Sequence, residues 1–581
     1  MAAHAATADD HHGHHQSFWT KYVFSTDHKT IGIQYGITSA AFLIFGFSLV
    51  MMMRYQLAWP FEAMPLIGKL FSFESMPDGI MRADFYNALG AMHGTIMVFL
   101  GVVPFGMAAL GNYVMPLQIG APDMCFPKLN MASFWVFFVG GVLMLVGFCL
   151  PGGAARSGWT SYPPLAVLSP NSGQTVWLLG MVFLITSSLL GSVNFIATIF
   201  QLRAPGMSWM RLPFFVWTQL VTAFLLLLAF PPLEVAGILQ LSDRVFGSSF
   251  FMASGLFVDG TVSSYVGEGS ALLYQHLFWF LGHPEVYVII LPGLGAVADI
   301  IANNTRKPLY GYKAMVYAAC FLGFMSMVVW AHHMYITGMG PVMNTFFQTT
   351  TMIISIPSVV ILSCFLMSLW GGAIRFNTPM LFALGFLPMF GIGGLTGLPL
   401  GLSSTDITLH DTYYVIGHFH YVVAPGTIFA LFAAVYYWFP KMTGRMFNEA
   451  LGKIHFWGSL ICMNIVFFPM LIQGFAGMNR RMYDGGATYS FNAPVLYLNK
   501  VITWGGAALF CFQLVFIVNM IISVRRGRKV GANPWDATTL EWAAPSPPPH
   551  GNFTTQPSCY RDAYEYSVPK AAKDFSPQFE R

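Results

Sequence analysis

The chain has 581 residues, of which 55% are hydrophobic and only 9% are charged, and its mean hydropathy is +0.59. This composition excludes a soluble globular protein and indicates an integral membrane protein. The net charge of +4 is too close to balance to indicate binding to nucleic acid. The 7 cysteines are scattered singly, so neither a disulfide framework nor a thiolate metal site is expected.

Twelve apolar segments are long enough to cross about 30 Å of hydrocarbon. The predicted spans are residues 32–54, 85–113, 130–150, 175–201, 213–239, 270–299, 312–335, 343–370, 380–401, 412–439, 455–475 and 501–524. We therefore expect an all-α membrane protein with twelve transmembrane helices. An even number of spans puts both termini on one side of the membrane. Lys and Arg in the short connecting segments are more numerous on that side, which predicts that both termini are cytoplasmic.

The chain divides into a cytoplasmic N-terminal tail (1–30), a twelve-helix transmembrane domain (31–525) and a cytoplasmic C-terminal strap (526–581). The polar N-terminus lacks the apolar core of a signal peptide, so none is expected. The proline-rich run at 545–550 is typical of an extended surface segment.

Six histidines lie inside the predicted spans, where an ionisable side chain is a functional-site hypothesis by default. They are His93, His283, His332, His333, His418 and His420. With the predicted orientation, four separate spans bring them towards the outer part of the membrane. Imidazole is the commonest ligand for copper and iron, so this set predicts several buried metal centres. The alternative for any single histidine is a hydrogen-bonded core residue.

The spacing of these histidines indicates how they divide among metals. His418 and His420 are about 200° apart around one helix, so they point to opposite sides and suit two different metal groups. His332 and His333 are adjacent, which suits two ligands on one small ion. With His283 they make a three-imidazole set typical of copper. His93 then remains to pair with one histidine of the tenth span across a haem.

Seven sequence motifs closely resemble subunit I of haem–copper terminal oxidases, most strongly that of bacterial and mitochondrial cytochrome c oxidase. They are STDHKTIG (25–32), AMHG (91–94), GNYVMPLQIGAPDM (111–124), GWTSYPPL (158–165), WFLGHPEVY (279–287), WAHHMY (330–335) and HDTYYVIGHFHYV (410–422). The resemblance implies a twelve-helix bundle that holds two haems of type A and copper B. It assigns His93 and His420 to the low-spin haem and His418 to the high-spin haem. The copper B ligands would be His283, His332 and His333.

The resemblance also implies an activity, which is reduction of O2 to water with electrons from cytochrome c, coupled to proton pumping. Tyr287 lies four residues after His283 on the same helix face and would supply an electron and a proton. The implied partners are subunit II, which carries copper A, and subunit III. The implied location is a bacterial inner membrane.

Two proton paths are considered on the basis of the resemblance. The first would run inward from Asp123 to Glu285 past Asn112, Asn130, Ser133, Ser187, Ser188 and Asn194. The second lacks its usual lysine and serine, because Ile361 and Ala298 occupy those positions. A weakly polar stripe of Thr351, Ser355, Ser358 and Cys364 remains there. Its side chains either carry protons through water or simply bond back to their own helix.

Several residues on the outer side match positions that bind the cofactors. Arg480 and Arg481 would hold haem propionates, although the run GMNRRMY lacks the usual proline before them. Arg54 and Trp159 match positions beside the haems. His410 and Asp411 match ligands of a non-redox Mg2+, and an N-cap role for Asp411 is the alternative.

Three other functions fit the sequence less well. A quinol oxidase shares the metal core, but its histidine and glutamine before the low-spin haem ligand are absent from DFYNALGAMHG (84–94). A nitric oxide reductase does not fit Tyr287 and the polar path. An ion channel or transporter would not need six convergent imidazoles.

Overall fold

The computed structural model describes residues 17–581, except 259 and 264, and helices form most of this part of the chain. The twelve main helices are α1 (His28–Ala58), α2 (Ala83–Ile119), α3 (Pro127–Cys149), α4 (Ser172–Gln201), α5 (Phe214–Phe246), α6 (Ala271–Thr305), α7 (Tyr312–Ser326), α8 (Pro341–Leu369), α9 (Thr378–Gly401), α10 (Tyr413–Thr443), α11 (Glu449–Phe475) and α12 (Tyr497–Arg526). Within the described residues, 11 of these helices are long and apolar enough to cross a membrane, and α7 is the exception. The chain is therefore a multi-pass membrane protein built as an all-α bundle.

The seventh predicted span, 312–335, is not one continuous α-helix. The α-helical ladder of α7 ends at Ser326, and the amides of Met327 and Val328 bond to carbonyls three residues back. A 3-10 helix, Trp330–Met334, follows and carries both adjacent histidines. Because a 3-10 turn is tighter than an α-turn, this end cannot be placed from an α-helical period.

Helix α6 lies at the centre of the bundle. In its most apolar stretch 89% of the residues are buried, compared with 17% for the peripheral α12. Side-chain caps begin several helices, including Asn377 at α9, Thr412 at α10 and Asn448 at α11. The π-helical segments Ile96–Val102 and Val423–Ile428 follow closely after His93 and His420. Such segments occur frequently at functional sites.

Irregular segments cover the two ends of the bundle. At one end, residues 59–82 and a short hairpin connect helices, and the hairpin pairs Phe257–Val258 with Thr261–Val262. At the other end, the segment after α12 packs closely against the helices and buries Trp542 and Tyr566. Arg306 at the end of α6 binds Asp574 of this segment with its guanidinium Nε 2.8 Å from the carboxylate. The N-terminal residues 1–16 of the predicted tail lie outside the described residues.

Candidate metal centres and proton path

Three histidines form a compact cluster inside the bundle. His283 of α6 and His332 and His333 of the 3-10 helix each offer a ring nitrogen within 4.8 Å of the others. The Nε2 atoms of His332 and His333 are 3.1 Å apart. Both ring nitrogens of His283 are buried, and neither has a hydrogen-bond partner in the part of the chain that the structure describes. Three imidazoles that share one point suit a copper ion, since neutral imidazole is a preferred copper ligand.

Neighbouring side chains hold the cluster in place. The Nδ1 atom of His332 lies 2.8 Å from the hydroxyl of Thr351 on α8. The indole of Trp279 stacks on the His333 ring with 3.9 Å between centroids and an angle of 15°. Hydrogen bonds and packing that orient a ligating imidazole in this way tune metal binding strongly. Sequence reasoning assigned Thr351 to a proton path and did not identify either residue as a support of the cluster.

Tyr287 and Glu285 follow His283 on α6, and Tyr287 lies beside the cluster. The ring of Tyr287 is 4.9 Å from that of His283, as expected for residues one turn apart. Glu285 is 1% exposed, and within residues 17–581, except 259 and 264, neither of its carboxylate oxygens has a hydrogen-bond partner. A buried carboxyl without a fixed partner is free to take up and release a proton.

The other three histidines share a second arrangement, in which Nδ1 is fixed by a backbone carbonyl. His93 Nδ1 lies 2.8 Å from the Gly46 carbonyl oxygen, and His420 Nδ1 lies 2.9 Å from that of Ile416. His418 Nδ1 lies 2.9 Å from the carbonyl oxygen of Gly393. Each ring therefore keeps Nε2 for a metal, which is the usual state of a metal-ligating histidine.

The surroundings of these rings also fit haem. His93, His418 and His420 are half-buried although they lie well inside spanning helices, so none of the three is completely enclosed by the protein. Gly397 packs against His418 so closely that a Cβ there would be 2.7 Å from the imidazole Cε1. A side chain at position 397 would displace the ring. The donor set, with one imidazole on each side of α10 and a third from α2, fits two haem irons.

The arginines and Trp159 lie at one end of these helices. Arg54 is buried and donates from Nη2 to the Asn499 side-chain oxygen at 3.1 Å, which leaves its Nε without a partner. The guanidinium of Arg480 lies 5.9 Å from the ring centroid of Phe419. Phe419 stands between His418 and His420 in the sequence of α10.

Trp159 packs against the turn of α2 that carries His93. A Cβ at Gly94 would lie 3.0 Å from Trp159 Cβ, and Trp159 also meets Trp279 edge-on. Arg481 lies close by, with its Nη1 3.7 Å from the Cβ position of Gly158. Trp159 thus connects the surroundings of His93 with the indole that stacks on the three-histidine cluster.

The pair His410 and Asp411 lies just before α10, but each residue has a different partner. His410 Nδ1 is 2.9 Å from a carboxylate oxygen of Asp406, a residue that sequence reasoning did not identify. Asp411 adopts a left-handed backbone (φ 54°) and lies 3.8 Å from Arg480 Nε. The N-cap of α10 is Thr412, whose hydroxyl accepts from the Tyr414 amide. The alternative N-cap role of Asp411 is therefore wrong.

Four of the predicted path residues line one internal cavity of about 40 Å³, which are Asn112, Ser133, Ser187 and Ser188. A cavity of this size holds a few waters. Tyr35 and Ser192 also line it, and the Tyr35 hydroxyl donates to Ser133 Oγ at 3.1 Å. Sequence reasoning missed both. Tyr35 comes from α1, outside the helices α2, α3 and α4 on which the path was sought, and Ser192 lies on α4 one turn after Ser188 but was not singled out.

The remaining path residues differ in their surroundings. Asn130 is buried with both side-chain polar atoms unpartnered, which suits contact with water. Asn194 instead accepts from the Phe126 amide at 2.9 Å and so ties a connecting loop to α4. Asp123 lies half-buried before α3, and burial raises the pKa of its carboxyl while the nearby His28 opposes that rise.

The second stripe is poorly connected. Ser355 donates to the Met352 carbonyl of its own helix at 2.6 Å, and Thr351 is engaged with His332. Ser358 is half-buried, and Ile361 is fully buried in the apolar core. Back-bonding within α8 therefore accounts for Ser355.

Comparison with known families decides the class of protein. The family model for cytochrome c and quinol oxidase polypeptide I matches residues 30–529. The chain belongs to this family. Membership implies haem and copper, and the three-histidine cluster fits the copper.

Individual relatives of this oxidase polypeptide are similar over almost their whole length. The alternative cytochrome c oxidase subunit 1 of Bradyrhizobium diazoefficiens is 43% identical over 571 residues, which cover 97% of this chain and 94% of that protein. Cytochrome c oxidase subunit 1 of Synechocystis is 42% identical over 569 residues, covering 98% and 96%. That of Bacillus subtilis is 40% identical over 537 residues, covering 92% and 81%.

A solved structure has the same fold. A cryo-EM structure of a haem–copper terminal oxidase dimer superposes with a TM-score of 0.69, and it covers 87% of this chain and 85% of that one. The sequence identity is 19%, so this likeness concerns the fold alone. It agrees with the predicted helical bundle.

Proposed function

We propose that this chain is the catalytic subunit of a respiratory cytochrome c oxidase, which reduces O2 to water and couples this reaction to proton pumping. The single observation that carries the proposal is the buried cluster of His283, His332 and His333 with Tyr287 beside it. These three imidazoles would hold a copper ion, and copper together with haem iron would supply the redox chemistry for O2.

In this proposal each histidine is assigned to a metal according to its surroundings. His93 and His420 ligate the low-spin haem, and His418 ligates the high-spin haem. The cluster holds copper B through His283, His332 and His333. The fixed Nδ1 atoms of His93, His418 and His420 support this division, because each leaves Nε2 as the only ring nitrogen for iron. The haems are taken to be of type A.

Tyr287 is the proposed source of the last electron and proton for splitting the O–O bond. Its ring lies within 4.9 Å of His283, so its hydroxyl is carried on the helix that supplies a copper ligand. Glu285 is the proposed shuttle that receives protons where the polar path from Asp123 ends, inside the bundle. The cavity lined by Asn112, Ser133, Ser187 and Ser188 supports this path, since it has room for a few waters beside these side chains.

The polar groups at the outer end have proposed binding roles. Arg480 and Arg481 hold haem propionates, because a guanidinium matches a carboxylate with two parallel hydrogen bonds. Arg54 and Trp159 contact the haems at the edges. His410 and Asp411 bind Mg2+. The carboxylate of Asp406 contacts Nδ1 of His410 and so orients the ring, which leaves Nε2 for the metal.

The proposed setting is a bacterial inner membrane with both termini in the cytoplasm. A subunit I of this family works with other oxidase subunits, and we propose subunit II with copper A and subunit III. The domain limits 1–30, 31–525 and 526–581 belong to the same proposal.

The haem spectrum and the O2 consumption of the purified enzyme test this function. We expect a reduced-minus-oxidised spectrum with a low-spin and a high-spin haem signal, and rapid O2 consumption with reduced cytochrome c. Ubiquinol serves as the comparison donor, because the quinol oxidase is the alternative on the same metal core. O2 consumption with ubiquinol but not with cytochrome c would favour that alternative. Enzyme without haem would refute both.

A second prediction concerns which path carries protons to Tyr287. Since Ser355 bonds to its own helix and Ile361 is buried, we expect the aspartate path to serve the whole cycle. Asp123→Asn should slow reduction of the high-spin haem about tenfold or more, whereas Ser358→Val should leave it within about twofold. Stopped-flow absorbance in H2O and D2O measures both rates.

Ser355→Val is the matched control, since it lies one turn away on α8 and its hydroxyl is already satisfied. Slow reduction in Ser358→Val but not in Ser355→Val would mean that the stripe carries protons through water.

A further inference from the structure

Two carboxyl groups that the proposed function does not use lie together at the end of the bundle that the C-terminal segment covers. Asp299 is in the last two turns of α6 and is 3% exposed, and Glu541 is in the short 3-10 helix Leu540–Ala543 and is 0% exposed. The amide Nε2 of Gln118, at the end of α2, donates to Asp299 Oδ2 at 2.8 Å and to Glu541 Oε1 at 3.1 Å. One amide therefore bridges the two carboxyls.

The pair straddles the boundary between the helices and the segment after α12. Asp299, Gln118 and Trp438 come from the helices, and the Trp438 indole donates to Glu541 Oε1 at 3.3 Å. Glu541 and Tyr564 come from the C-terminal segment, and the Tyr564 hydroxyl donates to Asp299 Oδ1. These bonds fasten the segment to the bundle.

No positive charge neutralises this pair within the described residues, because none of their salt bridges includes Asp299 or Glu541. The cation that faces Glu541 is Lys441, whose ammonium instead donates to the Ala532 carbonyl at 2.9 Å. The other titratable groups that face the pair are the phenols of Tyr312, Tyr437 and Tyr564. Two unpaired anions buried here would be very costly.

The pair also lacks donors. Glu541 Oε2 and Gln118 Oε1 are buried acceptors that have no hydrogen-bond partner among the described residues. Buried polar atoms normally form hydrogen bonds, so these two acceptors call for an additional hydrogen atom at the site. A metal cation does not suit the site, since three of the four carboxylate oxygens already accept hydrogen bonds and a hard cation requires about six oxygens.

We propose that Asp299 and Glu541 hold one proton between them, and that this proton is a fixed part of the attachment of the C-terminal segment 526–581. The bound proton removes one of two adjacent negative charges and supplies the missing donor. Its loss places two carboxylates on one bridging amide and pushes the segment away from α6.

The sign of the pH dependence follows from linkage. Burial raises the pKa of Glu541 in the attached state above its value in the exposed segment. The attached state then binds more protons, so the proton's contribution is fully present at low pH. It declines as the pH rises through the attached-state pKa, by at most about tenfold in the attachment equilibrium for each pH unit.

Hydrogen–deuterium exchange of the assembled enzyme tests the proposal. We expect amide protection in the C-terminal segment to fall as the pH rises, and to fall more steeply in the wild type than in Glu541→Gln, by up to ~tenfold for each pH unit. The glutamine keeps Oε1 for Gln118 and Trp438 and puts an NH2 group at the unpartnered Oε2 position. The ratio of wild type to variant at each pH cancels the intrinsic pH dependence of exchange.

Glu565→Gln is the matched control, because it makes the same change in the same segment at a carboxylate paired with Arg561 at 3.1 Å. It should keep the wild-type pH dependence. If Glu541→Gln does not assemble, Asp299→Asn provides the neutral pair. An equal pH dependence in the wild type and in the neutral-pair variant would overturn the proposal, since a bridging water alone would give that result.

Infrared difference spectroscopy gives an independent readout. A carboxylic-acid C=O band that titrates in the wild type and is absent from both Glu541→Gln and Asp299→Asn is expected. A wild-type spectrum without such a band would mean that both groups are ionised, and would also overturn the proposal.

Discussion

Glu285→Gln is expected to lower the rate of O2 reduction by about 10²- to 10⁴-fold, which is the usual contribution of a positioned proton donor. The glutamine has nearly the same shape, so packing around α6 should not change. It has no proton to give and take, and the carboxyl it replaces is 1% exposed without a hydrogen-bond partner. Water alone cannot substitute for it at this depth. Haem and copper content should stay at the wild-type level.

Glu234→Gln is a suitable control for this experiment. Glu234 is another carboxyl inside a spanning helix, half-buried on α5, and its Oε1 accepts from the Thr186 hydroxyl at 2.7 Å. It lines neither the polar cavity nor the histidine cluster. An O2 electrode with reduced cytochrome c should show near wild-type turnover. Normal turnover in Glu285→Gln would refute its role as a shuttle, and an equal loss in both variants would point to a general effect of intramembrane carboxyls.

Much of the fold could be predicted because the membrane imposes length and apolarity on each helix. The central α6 and the peripheral α12 were both found in this way, although their burial differs widely. The cluster of His283, His332 and His333 was also predicted, since histidine is costly in an apolar span unless it binds something. The structure brings these three rings together as expected.

The features that could not be predicted from the sequence depend on tertiary contacts between residues far apart in the chain. The hydroxyl of Thr351 reaches His332 from another helix, and nothing in the period of α8 distinguishes that hydroxyl from the back-bonded Ser355. The C-terminal segment was expected to be a surface strap, yet it buries Glu541 and bonds Asn552 to His28 at 3.0 Å. Its irregular backbone has no periodicity from which those contacts follow.

Removal of one copper ligand is expected to have the second large effect. His333→Ala should lose copper and abolish O2 reduction, while the low-spin haem spectrum is retained. The physical reason is that His333 belongs to the three-imidazole cluster, whereas His93 is fixed by the Gly46 carbonyl of α1 and His420 by the Ile416 carbonyl of its own helix, both outside that cluster. Two imidazoles do not make a stable site for one copper ion, because a ligand position is left to water. Metal analysis and the reduced-minus-oxidised spectrum measure the two parts of this prediction.

Two further variants make the copper prediction specific. Thr351→Val removes the hydroxyl that orients His332 and should weaken copper binding by about 10- to 100-fold without abolishing it, as expected for a residue that only supports a ligand. His276→Ala changes another half-buried histidine of α6, whose Nδ1 accepts from the Trp330 indole at 3.3 Å, and should keep full copper. This order of effects follows from geometry, because His333 is the only one of the three varied residues that offers a nitrogen to the cluster. If His333→Ala lost both haems together with copper, the cluster would be holding the helices together, and its assignment as a copper site would fail.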